Sequence, residues 1–134
     1  MVLVDSSVWI DYFNGAASPE TDTLDALLGQ DLILIGDLIL TEVLQGFREE
    51  RDYRLARELF DPLELRMLCG QEVALLAADN YRTLRARGIT VRKTIDVIIG
   101  SYCLLHALPL LHTDRDFDAL ETHLGLTVIR GTVS

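Results

Sequence analysis

Short apolar runs alternate with longer stretches of helical periodicity along the whole chain. Val2-Leu3-Val4 has no polar alternation, as expected of a parallel strand buried on both faces, and it ends at Asp5. Ser6 and Ser7 can cap a helix carrying Trp9, Ile10 and Phe13 on neighbouring faces, which stops at Asn14-Gly15. Ser18-Pro19-Glu20 reads as N-cap, first-turn proline and first-turn acid, opening a helix through Leu24, Leu27 and Leu28 to Gly29. Leu32 to Ile35 is a second buried strand, and a helix over roughly residues 38 to 45 ends at Gly46. Arg48 to Phe60 is a charged amphipathic helix closed by Asp61-Pro62, followed by a weaker strand over Leu65 to Leu68. Gln71 to Arg87 forms a long helix ended by Gly88, and Thr94 is placed to cap another from Ile95 to Ala107. Leu110-Leu111-His112 is a strand, Asp116 to Leu124 a short helix stopped by Gly125, and Thr127-Val128-Ile129 a final strand.

Strands separated by helices imply βαβ crossovers and a mostly parallel sheet covered on both faces. The expected class is therefore α/β, a three-layer α/β/α sandwich. With 134 residues, 49% of them hydrophobic, and no repeat or linker, residues 1–134 are expected to form one domain.

The charge balance changes that picture only slightly. Twelve basic residues stand against 21 acidic ones, a net charge of −9, which argues against a generic polyanion binder. The argument weakens if many carboxylates bind divalent cations or face a basic protein. Cys69 and Cys103 lie far apart and offer neither a disulfide framework nor a zinc site. The apolar start is only four residues long before Asp5, too short for a secretory signal, so a cytoplasmic protein is expected.

The candidate chemistry lies in the acids. Ligand sites in open α/β sheets form beyond the carboxyl ends of the strands. Asp5 directly follows the first strand, Asp114 closely follows the strand ending at His112, and Asp116 lies two residues further on. Glu42 and Asp96 are single acids in otherwise apolar helical stretches, and neither has a basic partner on the same helical face. A carboxylate placed so is costly unless it is protonated, paired or bound to a metal. Each acid alone is equally open to capping or a helix-dipole role. The conjunction of two strand-end acids with two acids in apolar helices, all directed to one edge, favours a shared site. An oxygen-only cluster suits magnesium or manganese, whose usual business is phosphate chemistry. Gly100, Cys103 and Ala107 follow Asp96 as a stripe of small residues that would let its helix pack closely.

Four phrases carry a resemblance. They are Val4-Asp5-Ser6-Ser7-Val8-Trp9-Ile10-Asp11, Leu40-Thr41-Glu42-Val43-Leu44-Gln45-Gly46, Thr94-Ile95-Asp96-Val97-Ile98-Ile99-Gly100 and His112-Thr113-Asp114-Arg115-Asp116-Phe117. In order and context they resemble the acidic motifs of PIN-domain nucleases, and in length the VapC toxins of bacterial and archaeal toxin–antitoxin pairs. The resemblance spans nearly the whole chain. It implies a magnesium- or manganese-dependent endoribonuclease, a homodimer, and inhibition by a small VapB-type antitoxin. It also implies that Asp5, Glu42, Asp96 and Asp114 are metal ligands and catalytic residues, with Asp116 binding directly or through water. Ser6 and Thr113 then stand where hydroxyls support the acids, or simply cap and turn the chain. Cleavage of RNA by in-line attack of water would leave a 5′-phosphate and a 3′-hydroxyl.

Two competing classes are a non-catalytic, metal-stabilised binding module and a receiver- or phosphatase-like phosphoryl-transfer domain. The latter is disfavoured because Asp5-Ser6-Ser7 lacks a second acid two residues on. Arg82, Arg85, Arg87, Arg92 and Lys93 form an acid-free basic stretch that either contacts RNA phosphates or is a solvated helix end. The arginines at 48, 51, 54 and 57 fit a salt-bridged surface helix, Trp9 and Phe13 fit the core, and His106, His112 and His123 fit structural roles.

Overall fold

The structure is a computed structural model, and residues 1–130 of it are described. Its elements run β1 (Val2–Val4), α1 (Ser6–Phe13), α2 (Pro19–Leu27), β2 (Ile33–Gly36), α3 (Asp37–Gln45), α4 (Glu50–Phe60), β3 (Glu64–Arg66), α5 (Gln71–Ala86), α6 (Thr94–Leu105), β4 (Leu110–Leu111) and α7 (Asp118–Leu124). A single 3-10 turn, Arg115–Phe117, leads into α7.

The four strands form one sheet in the order β3-β2-β1-β4, and every pairing is parallel. Successive residues of a strand face opposite sides of the sheet. All three residues of β1 and all four of β2 are buried, so helices cover both faces and the three-layer arrangement follows. One group packs α1 against α2 and α3, with α3 on α4; another packs α5 against α6 and α7. At the sheet edge β3 is different, with Glu64 and Leu65 exposed.

The chain leaves β1 towards β2 and β3 and later returns to place β4 on the other side of β1. Neighbouring strands therefore lead away in opposite directions at the β1–β4 seam, the place where open α/β sheets hold their ligand sites, beyond the carboxyl ends. Asp5 and the His112–Asp114 segment leave the sheet on the two sides of this seam, tied by the Asp5 N–H donating to the Leu111 carbonyl (2.9 Å).

Most element ends shift by a residue or two from the sequence reading, and three differences have a clear local description. The last strand, expected over Thr127–Ile129, is reduced to an isolated bridge between Leu110 and Val128. β3 pairs over Glu64–Arg66 rather than Leu65–Leu68, because Leu68 turns inward and is fully buried instead of continuing the ladder. The first helix is capped by Asp5, not by Ser6 or Ser7: the Ser7 N–H donates to Asp5 Oδ2 at 3.0 Å. Asp5 is thus both strand end and helix cap.

The small-residue stripe packs for its first two members. A side chain on Gly100 would strike Leu120 Cδ2 at 2.2 Å, so its absence lets α6 approach α7. Cys103 is buried, whereas Ala107 lies past the helix end and is exposed.

Candidate metal centre

Two of the acids are buried. Asp5 is only 2% exposed and Asp96 3%. Asp5 spends one oxygen on the Ser7 N–H, and its Oδ1 is buried with no hydrogen-bond partner among the described residues. The same holds for Asp96 Oδ2, which faces Lys93 Nζ at 3.4 Å, an ion-pair distance without hydrogen-bond geometry. Leaving such oxygens bare costs free energy, on the order of 1–3 kcal/mol for an ordinary buried polar group and more for a charged one.

Asp114 sits at the rim. Its Oδ1 accepts from the Asp116 N–H (2.9 Å) and its Oδ2 from Lys93 Nζ (2.8 Å), while Asp114 N–H donates to His112 Nδ1 (3.1 Å). Asp116 meets Arg92 at 3.3 Å. One oxygen from each of Asp96, Asp114 and Asp116 lies within 4.8 Å of the other two. Glu42 reaches over from α3, held by the Ser6 hydroxyl, which donates to its Oε1 at 3.2 Å. Thr113 contributes its backbone N–H, donated to Ser7 Oγ (3.1 Å), so the loop after β4 is stitched to the start of α1.

The electrostatics report mutual proximity. Burial lifts the Asp5 carboxyl above its ordinary range against the pull of the Ser7 hydrogen bond, and Asp114 adds to the rise. Burial likewise raises Glu42, opposed by Ser6 and reinforced by Asp5. Asp96 is pushed up to about 7, chiefly by burial, with Lys93 opposing and the charges of Asp5 and Asp114 assisting. Burial also acts to raise Asp114, but hydrogen bonds from Lys93 and the Asp116 N–H outweigh it and leave that carboxyl low.

The five sequence-predicted acids therefore fall into a graded arrangement. One oxygen each of Asp96, Asp114 and Asp116 gathers within 4.8 Å of the others; Asp5, and Glu42 tied to Ser6, stand outside that group but near enough for the charge of Asp114 to act on both. What the sequence reading missed is the pairing of Lys93, which it placed only in the basic stretch, with the acids. Lys93 is three residues before Asp96, yet it stands at the N-cap rather than on the helix, and from there it bridges Asp96 and Asp114. The expectation that Asp96 lacks a basic partner is thereby corrected. Thr94 is the first residue of α6 and not its cap, and no side chain caps that end.

The donor set fits a hard divalent cation. It consists of carboxylate oxygens alone, and two buried ones accept no hydrogen bond among the described residues.

The sequence model of the PIN domain matches residues 2–122. The chain belongs to the PIN-domain family. Ribonuclease VapC11 of Mycobacterium tuberculosis is 28% identical over 122 residues, covering 90% of this chain and 91% of that protein. The fold of this PIN domain is shared with VapBC2 from Rickettsia felis, whose structure was solved bound to a promoter DNA fragment (TM-score 0.76, 15% identity, 96% of this chain and 98% of that one). It is shared also with VapBC-1 from nontypeable Haemophilus influenzae (TM-score 0.74, 16% identity, 99% and 100%). At these identities the structures speak to the α/β/α architecture of the PIN domain alone.

A pH dependence follows from the buried acids. The folded chain keeps a proton on Asp96 up to about pH 7, whereas the ordinary carboxyl value is 3.8. Stability from this group is complete below the unfolded value and is lost as pH rises through the folded one. Asp5 and Glu42, also raised, act in the same direction; Asp114, lowered, matters only in stronger acid. The melting temperature of the metal-free chain, followed by circular dichroism in chelator, is expected to fall between about pH 5 and about pH 8. Asp96→Asn should flatten that slope, and an equally steep slope in the variant would contradict the burial argument.

Proposed function

We propose that this chain is a magnesium- or manganese-dependent endoribonuclease of the VapC type, the toxin of a toxin–antitoxin pair held in check by a VapB-type antitoxin. The observation that carries this reading is the pair of buried carboxylate oxygens, Asp5 Oδ1 and Asp96 Oδ2, that accept no hydrogen bond among the described residues, beside Asp114 at the β1–β4 seam of a PIN domain. The ribonuclease activity named for its VapC relatives supports it.

Asp5, Asp96 and Asp114 would hold the cation, with Glu42 and Asp116 completing the set directly or through water. When bound there, such a cation would supply polarisation of a phosphodiester and a lowered pKa for an attacking water. The chain's own residues keep the carboxylates aimed: the Ser7 N–H fixes Asp5, the Ser6 hydroxyl fixes Glu42, and the Asp116 N–H fixes Asp114. Arg82 and Arg85 on α5 and Arg92 beyond it supply exposed positive charge for RNA phosphates on an otherwise acidic protein. The net charge of −9 then suits a basic antitoxin.

The chain would work as one catalytic domain, as a homodimer and in the cytoplasm; among the described residues no helix is long and apolar enough to cross a membrane. Single-stranded RNA incubated with the purified chain and magnesium or manganese should be cut to fragments with 5′-phosphate and 3′-hydroxyl ends, and chelator should stop the reaction. Metal binding without any cleavage of RNA would favour the non-catalytic module instead.

A further inference from the structure

Lys93 is the only lysine in the 134 residues; every other permanently cationic side chain is an arginine. It is also the side chain that bridges the acids, with Nζ 2.8 Å from Asp114 Oδ2 and 3.4 Å from Asp96 Oδ2. Its own surroundings are open, since the side chain is 50% exposed whereas that of Asp96 is 5% exposed.

We infer that Lys93 is a built-in counter-ion of the metal-free centre, which a divalent cation must displace to bind. The inference rests on the cation-site reading above and adds a residue to it. Three features support the exchange. A single ammonium faces Asp96 and Asp114 and leaves Asp5 Oδ1 unsatisfied, so it under-compensates the cluster, and a doubly charged ion compensates it better. The ammonium is a compact point charge on a flexible stem, without the planar fork by which arginine grips a carboxylate with two bonds. Because Lys93 sits at the rim, its departure returns the ammonium to water, where hydration replaces the lost ion pairs. Asp5 and Asp114, each held by a backbone N–H, need not move, and Asp96 is buried on α6. The cost of this arrangement is weaker metal binding; the benefit is a centre that stays assembled when empty.

The experiment is isothermal titration calorimetry of manganese into the chelator-stripped full chain. Lys93→Gln should bind manganese about tenfold or more tightly than wild type, the order expected for removing one half-exposed charge beside the ligands. Lys93→Arg should bind no more tightly than wild type, because the fork keeps its grip. Metal-free Lys93→Gln should melt below wild type, with the deficit erased by saturating manganese. Equal or weaker binding by Lys93→Gln overturns the inference, as does Lys93→Arg binding as tightly as Lys93→Gln. A wild-type chain that cuts RNA while Lys93→Gln shows unchanged affinity sinks only the counter-ion role. A wild-type chain that binds no manganese sinks both this inference and the cation site beneath it.

A second reading does not depend on a variant. Reductive methylation with labelled formaldehyde places carbon-13 on Lys93 and the amino terminus alone and keeps the charge. The Lys93 methyl resonance should move to that of a solvated dimethyl-lysine as magnesium is added. A resonance that stays in place at saturating magnesium overturns the inference.

Discussion

Asp96→Asn should lower metal-dependent RNA cleavage by about 10³-fold or more while leaving the metal-free chain as stable as wild type or more so. The loss follows from removing one buried ligand charge where a cation is worth several kcal/mol of transition-state stabilisation, at about 1.4 kcal/mol per tenfold in rate. The retained stability follows from the other side of the same burial. Asp96 is nearly inaccessible, its Oδ2 lacks a hydrogen-bond partner among the described residues, and its carboxyl is pushed up to about 7. A neutral amide of the same shape removes that electrostatic penalty. Initial rates on a fluorogenic RNA, read beside a melt in chelator, give both numbers. A variant that cuts at the wild-type rate removes Asp96 from the site, and one that loses cleavage because it unfolds shows a structural carboxylate instead.

Trp9→Ala should cost about 3–5 kcal/mol of stability, which for a chain of this size lowers the melting temperature by roughly 10 °C or more. Trp9 is 0% exposed. Its ring lies edge-on to Phe60 of α4 at 4.8 Å and stacked on Phe13 at 6.1 Å, so it pins α1 against its neighbours. The indole N–H has no partner among the described residues, so apolar volume is the useful part of this side chain. Trp9→Phe should therefore cost much less than Trp9→Ala, and urea unfolding of the pair separates the two. Equal losses would show that shape or the N–H matters more than burial. Because α1 begins at the residue after Asp5, loosening it also frees the carboxylate that the Ser7 N–H holds.

The strand-and-helix plan was legible because the buried strands contain nothing but apolar residues and the helices end at residues with a physical reason to end them. Ser18 forms the N-cap expected before Pro19, extended by Thr21 into a capping box, and Gly125 takes the left-handed conformation that closes α7. The acids were legible for the same reason: Asp96 and Glu42 interrupt apolar helical faces. Three details depended on tertiary context. Asp5 outcompetes Ser6 and Ser7 as cap because β1 delivers its carboxylate directly to the helix start. Val128 finds one bridge and no ladder because β4 is only two residues long. Lys93 read as part of a basic stretch, and only the folded path between α5 and α6 brings it onto Asp114, which is 21 residues away in sequence.

The most direct measurement sets wild type and Asp5→Asn side by side on the same RNA with magnesium, from parallel purifications, so that any contaminating nuclease appears in both. Asp5 is both the end of β1 and the cap of α1, and its Oδ1 is buried with no hydrogen-bond partner among the described residues, which makes it the sharpest test of the proposed cation site. Expected is chelator-sensitive cleavage by wild type and none above background by a folded Asp5→Asn chain. Equal cleavage by the two proteins would contradict the assignment of this carboxylate cluster as the ribonuclease centre.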